Sequence, residues 1–235
     1  HFLKIERSFK FFSILNVHSK KSVIFPSFYY HILQIMRDNM KDIIVQKAFE
    51  QYLIDGYEKV TVSTLQKSLD IGRATMYYYF KSKEDLFEAV MRKYFLDFIN
   101  GGLNKVTDST TILGLIDIYV DCFKVIARSM ADLKNPNITF SNYTGILFYA
   151  FSHDEYLATA ISDVKKKIHS VWVAAIQKSI ENGEIRSDID VDTIAYTFES
   201  VKGNFGETKA DETTIKHELE LFKKSHLELY KLLKK

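Results

Sequence analysis

Cysteine, proline and glycine are all scarce in this chain of 235 residues, which has one cysteine, two prolines and nine glycines. The lone Cys122 excludes a disulfide within the chain and any metal cluster built from several cysteines, and its apolar neighbours predict a small buried thiol. With few breaks in the chain, apolar residues recur at spacings of three and four over most of its length. These patterns predict an all-α protein.

Catalytic and membrane signatures are also missing from the sequence. The seven histidines are scattered, with no pair four residues apart and none beside a serine in a sharp strand-to-helix turn. Since no nucleophile, metal or phosphate-binding motif is visible, we expect neither an enzyme nor a protein with a cofactor. No apolar run is long enough to span a bilayer, and we expect a cytoplasmic protein.

Residues 1–35 differ from the rest of the chain in charge. They carry five cations against the acid Glu6, a net +4, and the whole chain carries +2, so the remainder carries 2 − 4 = −2. Any DNA contact from this acidic remainder must therefore use a local patch. The segment starts at His1, and Met36 and Met40 stand just before the first strongly periodic helix. Either the native start is one of these methionines, or the segment is an amphipathic arm that packs on the body or on DNA.

A strongly periodic helix is predicted to end near Gly56, which supplies a left-handed stop. Its apolar residues follow the spacing of one helical face: Val45, Ala48, Phe49, Tyr52 and Leu53.

Residues 61–86, TVSTLQKSLDIGRATMYYYFKSKEDL, predict two short helices joined by a tight turn, followed almost at once by a third helix. A hydroxyl at 61–63 can cap the first of these, and Ser82 can cap the last. Met76 and Phe80 share the inner face of the middle helix, predicted over residues 74–80. Its other positions hold a threonine and three consecutive tyrosines, preceded by an arginine. Such side chains suit phosphate oxygens and base edges, although a helical hairpin can also be plain packing.

Residues 42–95 resemble the amino-terminal DNA-binding domain of the tetracycline-repressor (TetR) family of bacterial regulators. The resemblance is carried, in order and spacing, by Gly56-Tyr57-Glu58, Thr61-Val62, Thr75-Met76-Tyr77-Tyr78 and the run FKSKEDL at 80–86. It implies that residues 74–80 form a recognition helix and that Lys83 clamps a phosphate. The residues expected to contact DNA are Thr61, Ser63, Arg73, Ala74, Thr75, Tyr77, Tyr78, Tyr79 and Lys83. Tyr78 falls where the family varies, and it either joins this set or packs sideways on the first helix.

Two positions depart from the family pattern. Asp70 replaces the usual turn glycine, and Gly72 replaces the usual Ser or Thr cap of the recognition helix. An aspartate can adopt the left-handed conformation at some cost, and glycine is a weaker cap. Both predict a less stable start to that helix.

The resemblance also implies a domain division. It gives an extension over 1–35, a helix-turn-helix domain over 36–84, and a helical effector-binding and dimerisation domain over 85–235. In this last domain, aromatic residues at helical spacing suggest a cavity for a small, mostly apolar effector, although such stripes are as often plain core. The candidates are Tyr119, Phe123, Tyr143, Phe148 and Trp172. The run His153-Asp154-Glu155 can bind a cation, but an exposed helix start is the favoured interpretation.

Two late segments carry a narrower apolar seam, with residues alternating at spacings of four and three. The seam predicts a four-helix interface between two copies of the chain, which is where the family dimerises. Alternatively, it packs on its own body. Its residues are Ile194, Phe198, Val201, Phe205, Ile215, Leu219, Phe222, His226 and Leu229.

The sequence as a whole predicts a homodimeric, ligand-responsive transcriptional regulator, favoured as a repressor, that binds a palindromic DNA operator. The alternative is an all-helical small-molecule-binding protein or enzyme that uses the aromatic cavity, with an amino-terminal module that is only structural.

Overall fold

Helices dominate the part of the chain that the structure describes. The computed structural model describes residues 26–201 and 212–235, and no β-strand occurs within those ranges. An isolated antiparallel bridge joins Ile185 and Lys234. The prediction of an all-α fold is therefore confirmed. The described residues divide into two units, with the boundary between Asp42 and Ile43.

The first helix, α1 (Pro26–Asp55), has the buried face that the sequence predicts. Val45, Ala48, Phe49, Tyr52 and Leu53 are all buried, and Gly56 ends the helix at a φ of +77°. The helix begins upstream of Met36, and most of the predicted extension, residues 1–25, lies outside the described residues.

Three short helices follow, in the order that the sequence predicts. They are α2 (Val62–Leu69), α3 (Arg73–Tyr79) and α4 (Lys83–Met91). Leu65, Met76 and Phe80 are buried, which confirms the predicted inner face of this module.

A π-helical turn over Arg92–Leu96 connects α4 to α5 (Asp97–Leu103), a feature that periodicity did not predict. The wider turn brings two consecutive rings onto Phe49. Tyr94 stacks on Phe49 with ring centroids 3.9 Å apart, and Phe95 meets it edge-on at 6.2 Å. The turn therefore anchors α1 to the larger helical body.

Five longer elements build that body. They are α6 (Ile112–Ala131), α7 (Phe140–His153), α8 (Glu155–Glu181), α9 (Val191–Ser200) and α10 (Glu212–Leu233). Helix α10 packs along α6, while α7 and α9 pack along α8. Within the described ranges, none of the helices combines the length and apolar character needed to cross a bilayer.

Cys122 is half-buried, so the predicted small buried thiol is buried only in part. The thiol points from α6 toward α5, where a Cβ on Gly102 would lie 2.1 Å from its Sγ. Partial burial raises the pKa of this thiol. Gly102 leaves the space that the sulfur occupies.

Candidate functional site

The start of α2 is fixed by a reciprocal pair of threonines. Thr61 Oγ1 accepts a hydrogen bond from the Thr64 N–H at 3.1 Å, and Thr64 Oγ1 accepts one from the Thr61 N–H at 3.0 Å. This is a capping box in which Thr64 takes the place of the usual Glu or Gln. The predicted hydroxyl cap is confirmed, and Thr61 and Ser63 are both exposed at this helix start.

The turn between α2 and α3 has the conformation that its two unusual residues predict. Asp70 lies in the left-handed region, with φ 52° and ψ 44°, and its N–H donates to the carbonyl of Lys67. Gly72 precedes α3 in an extended conformation and offers no side chain to cap it. Asp70 therefore adopts the left-handed conformation predicted for it, and the lower stability of the helix start stays a prediction.

Helix α3 is anchored by Met76 and the adjacent Phe80, and it exposes most of its polar residues. Arg73, Ala74, Tyr77 and Tyr78 are exposed, whereas Thr75 and Tyr79 are half-buried. Tyr78 is 60% exposed and meets Tyr79 edge-on at 4.9 Å. The Arg73 guanidinium lies 5.4 Å from the Tyr77 ring centroid. The predicted recognition helix thus presents a guanidinium and several phenols to solvent.

Lys83 lies in the first turn of α4, beside the loop that follows α1. Its ammonium is 3.9 Å from the Tyr57 ring centroid and donates to the Glu58 carbonyl at 3.4 Å. Ser82 Oγ accepts from the Asp85 N–H at 3.1 Å, which confirms the predicted cap. The lysine is thereby held close to the free amides of a capped helix start.

Positive charge is concentrated in the stretch between the acids Glu58 and Glu84. Between residues 59 and 83 the sequence contains five cations and the single acid Asp70, a net charge of 5 − 1 = +4. The whole chain carries only +2. A local excess of this kind attracts a polyanion even when the rest of the molecule is acidic.

A cluster of phenols joins the module to α7, and sequence analysis missed it. Tyr149 on α7 donates to the Glu58 carboxylate at 2.5 Å, and Tyr57 donates to the Glu84 carboxylate at 3.2 Å. The Tyr57 and Tyr149 rings lie 4.9 Å apart. Burial, followed by the hydrogen bond to Glu58, raises the pKa of Tyr149 to about 12, so this phenol remains a donor at neutral pH.

The five candidate effector residues do not line one cavity. Tyr119 and Trp172 meet edge-on with ring centroids 5.2 Å apart, and Phe123 contacts Phe222 at 4.7 Å in the same part of the body. Tyr143 instead stacks on Phe95 at 4.1 Å, and its hydroxyl donates to the Tyr94 carbonyl.

The fifth candidate, Phe148, is 69% exposed on α7 and lies outside the interior of the described chain. Grouping Phe148 with the buried rings was wrong, because its face of α7 points to solvent. The effector role of the other candidates stays a prediction.

The predicted dimer seam is largely an internal packing surface. Phe198, Phe222 and His226 are buried within the chain, since α9 packs Phe198 against α8 and α10 turns the other two residues toward α6 and α8. Phe198 stacks on Trp172 at 4.8 Å, and His226 contacts Phe222 at 4.3 Å. Assigning these three residues to a dimer interface was therefore wrong.

The other seam residues are less uniform. Ile215 and Leu219 are buried as well, whereas Ile194, Val201 and Leu229 are half-buried. Phe205 lies outside the described residues.

The sequence also did not predict a charged pocket between α6, α8 and α9. His169 bridges two carboxylates: its Nδ1 is 2.6 Å from Glu199 and its Nε2 is 2.8 Å from Asp192. Tyr196 stacks on the imidazole at 4.1 Å. The hydrogen bonds to Asp192 and then to Glu199 raise the pKa of His169. His169 lies on α8 and its three partners lie on α9, so no local motif marks the cluster.

The run His153-Asp154-Glu155 marks a helix start, as favoured. Asp154 Oδ1 accepts from the Leu157 N–H at 2.9 Å and so caps α8. Across the described ranges, no group of three or more His, Cys, Asp or Glu side chains is arranged to hold a metal ion.

Comparison with known proteins matches this architecture and the module. The model of the bacterial regulatory proteins, tetR family, matches residues 44–90. The HTH-type transcriptional repressor KstR2 of Mycolicibacterium smegmatis is 25% identical over 67% of this chain and 73% of its own length. The biofilm operon icaADBC negative transcriptional regulator IcaR of Staphylococcus epidermidis is 32% identical over 37% of this chain and 45% of its own length.

Solved structures share the fold at low identity. The ketosteroid transcriptional regulator KstR2 of Mycobacterium tuberculosis has a TM-score of 0.58 at 17% identity, covering 83% of this chain and 95% of its own. A TetR transcription regulator from Haloarcula marismortui has a TM-score of 0.59 at 15% identity, covering 84% and 100%. Because the family model coincides with the capped helix-turn-helix module, residues 44–90 are a DNA-binding domain of the tetR family, and the chain is a DNA-binding transcriptional regulator whose helical body shares the fold of such regulators.

Proposed function

We propose that this protein is a repressor that binds a short palindromic operator as a homodimer and leaves the operator when a small effector binds. Support for repression comes from the relatives, since one is named a repressor and another a negative regulator. Support for the DNA contact comes from α3 and its surroundings.

The observation that carries the proposal is the exposed face of α3 within a segment of net charge +4. Met76 is buried behind this face, and Arg73 and Tyr77 are exposed. An α-helix fits the major groove of B-DNA, where a guanidinium can form bidentate hydrogen bonds to guanine. In this arrangement Arg73 reads bases, while Thr61, Ser63 and Lys83 contact phosphates at two helix starts.

The DNA proposal is tested by fluorescence anisotropy. Labelled DNA from upstream of the protein's own gene is compared with random DNA of equal length, at fixed salt. We expect a preference of about a thousandfold or more for the specific site. Arg73→Ala and Tyr77→Ala should each cost about 1–3 kcal/mol of binding free energy.

Arg186→Ala is the matched control for Arg73→Ala. Arg186 is also an exposed arginine, but it lies in the loop before α9 and pairs with Asp188 at 2.6 Å. Its loss should leave DNA affinity unchanged. The proposal is refuted if wild-type protein shows no sequence preference, or if Arg186→Ala weakens binding as much as Arg73→Ala.

The homodimer proposal now rests on α10 residues outside the buried seam. Leu221 and Leu232 are exposed, at 41% and 76%, and lie three helical turns apart on one side of α10. Half-buried Leu229 and Ile194 border the internal core. A second copy that covers these side chains would carry two heads, whose recognition helices must stand about 34–36 Å apart to reach successive major grooves.

The effector proposal rests on the meeting of α6, α8 and α9 around Tyr119 and Trp172. A ligand between these helices can release DNA only if it binds the DNA-free arrangement of the heads more tightly than the DNA-bound one. The phenol cluster around Tyr149 supports a route for this coupling, because it ties α7 to the loop and helix start that hold Lys83.

A further inference from the structure

A pocket of about 590 Å³ opens between α6, α8 and α9. Its volume lies within the range of small-molecule sites. Aromatic and aliphatic walls come from Tyr119, Ile168 and Tyr196, one from each of the three helices. Lys165 and Lys166 of α8 add two cations to the lining.

The aromatic wall is already arranged for a flat group. Tyr196 is 56% exposed, and one face of its ring is stacked on His169. At the inner end, Tyr119 meets Trp172 edge-on; burial raises the pKa of the Tyr119 hydroxyl, and its hydrogen bond with the Trp172 side chain acts in the opposite direction.

The charged side chains that line the pocket favour a ligand of negative charge. Both ring nitrogens of His169 are occupied by Asp192 and Glu199, and the protonated imidazole leaves these three groups with a combined charge of −1 against the two lysines of the lining. Lys165 pairs with no carboxylate in the described part of the chain, and its ammonium lies 5.2 Å from the Phe151 ring. Lys166 pairs only with Asp163, at a highly exposed site where such pairs are weak. Two cations therefore remain for an anion.

We propose that this pocket binds a flat, apolar carboxylate. Its ring system packs against Tyr119, Ile168 and Tyr196, and its carboxylate binds Lys165 and Lys166. The regulatory use of this ligand rests on the proposed function, but its binding does not.

The test uses the full chain without DNA and isothermal titration calorimetry. The probes are 2-naphthoate and its neutral analogue 2-naphthylmethanol. Wild-type protein should bind the acid about tenfold or more tightly than the alcohol, because charge-assisted hydrogen bonds are stronger than neutral ones. Lys165→Met combined with Lys166→Met should remove this difference and leave the affinity for the alcohol unchanged.

The chain offers a matched control in the next residue. Lys167 is an exposed lysine of the same run that does not line the pocket, so Lys167→Met should bind 2-naphthoate as wild type does. Tyr196→Ala should weaken the binding of both probes, because it removes an aromatic wall of the pocket but no charge. Thermal unfolding of each variant establishes that the fold is intact.

Three results would overturn the proposal: no binding of 2-naphthoate, equal affinity for acid and alcohol, or an equal loss of affinity in Lys167→Met. Failure to bind operator DNA would refute the proposed function instead, and it would leave these titrations untouched. Failure of the titrations, with DNA binding retained, would refute this pocket alone.

Discussion

At the scale of single residues, two histidines of the body have pKa values shifted in opposite directions. The carboxylates of Asp192 and Glu199 raise the pKa of His169. Burial lowers the pKa of His226, whose Nδ1 lies 2.9 Å from the Phe222 carbonyl. His169 therefore favours its charged form in the folded state, whereas His226 favours its neutral form.

We predict that His169→Gln destabilises the protein more at acidic than at alkaline pH. The folded pKa of His169 is raised above its ordinary value of 6.5, so its stabilisation is complete below that value and is lost as pH rises through the folded pKa. The groups around it are Asp192, Glu199, the stacked Tyr196 and the lysines of its own helix.

The measurement is urea unfolding at about pH 5.5 and about pH 9. The linkage relation places the largest stabilisation by His169 near the first pH and the smallest near the second. His217→Gln, which changes an exposed histidine of α10, is the control. An equal loss of stability for His169→Gln at both pH values would contradict the prediction.

Asp70 allows a second prediction at this scale. Its left-handed conformation, with φ 52°, costs a residue with a Cβ more than it costs glycine. Asp70→Gly should therefore raise the free energy of unfolding. The gain is at most about 0.5–1 kcal/mol, because glycine also has greater conformational freedom in the unfolded chain. Asp70→Val should lower it, because a β-branched residue is a poor fit there. Thermal unfolding checks the order Gly, Asp, Val, and any other order would count against the strain argument.

At the scale of elements, the contact between α5 and α6 depends on the absence of one methyl group. A Cβ at position 102 would lie 2.1 Å from the Cys122 Sγ but 3.9 Å from its Cβ. Gly102→Ala should therefore destabilise the protein by about 1–3 kcal/mol through overpacking. Removing the sulfur removes the clash.

The double variant Gly102→Ala/Cys122→Ala should recover much of that loss. The measurement is a double-mutant cycle of unfolding free energies, in which the coupling between the sites should be large and favourable. Gly101→Ala is the control, since a Cβ there has no neighbour within 4 Å. Additive effects of the two changes would mean that the backbone relaxes and the sulfur is not the obstacle.

Helix α10 carries the apolar seam that its sequence predicts, but the seam packs on helices of the same chain. The spacing of Leu219, Phe222 and His226 predicts an apolar seam, and these residues do form a continuous buried face. Spacing of four and three makes a helix seek another helix, but it does not say whether that helix belongs to the same chain. Here the partners are internal, because Phe123 and Trp172 face the seam.

At the scale of the whole molecule, substitutions on the exposed face of α10 should change the oligomeric state, whereas substitutions on its buried face should change the stability of the fold. We predict that Leu221→Lys combined with Leu232→Lys gives a folded monomer, because these side chains are exposed in the single chain. Phe222→Lys should instead unfold the chain, since it places a charge in the core beside His226.

Analytical ultracentrifugation and circular dichroism distinguish these outcomes. The wild type should sediment at twice the mass of the chain, and Leu113→Lys, at an exposed leucine of α6, should do the same. A wild-type monomer would refute the dimer. A dimer that survives the double change would place the interface elsewhere.

The sequence by itself determined the helices, their caps and the DNA-binding module. These features depend on residues a few positions apart: the stripe from Val45 to Leu53, the Ser82 cap, and the left-handed Asp70. Short-range steric and hydrogen-bonding rules act before any tertiary packing, so pattern alone reveals them.

Only the tertiary structure decided which apolar faces turn inward and which charges meet. It buried Phe222, exposed Phe148, joined Tyr149 to Glu58 across 91 positions, and placed His169 between carboxylates 23 and 30 positions away. Such contacts follow from how whole helices pack on one another. No local spacing encodes them, because each depends on the relative position of elements distant in the chain.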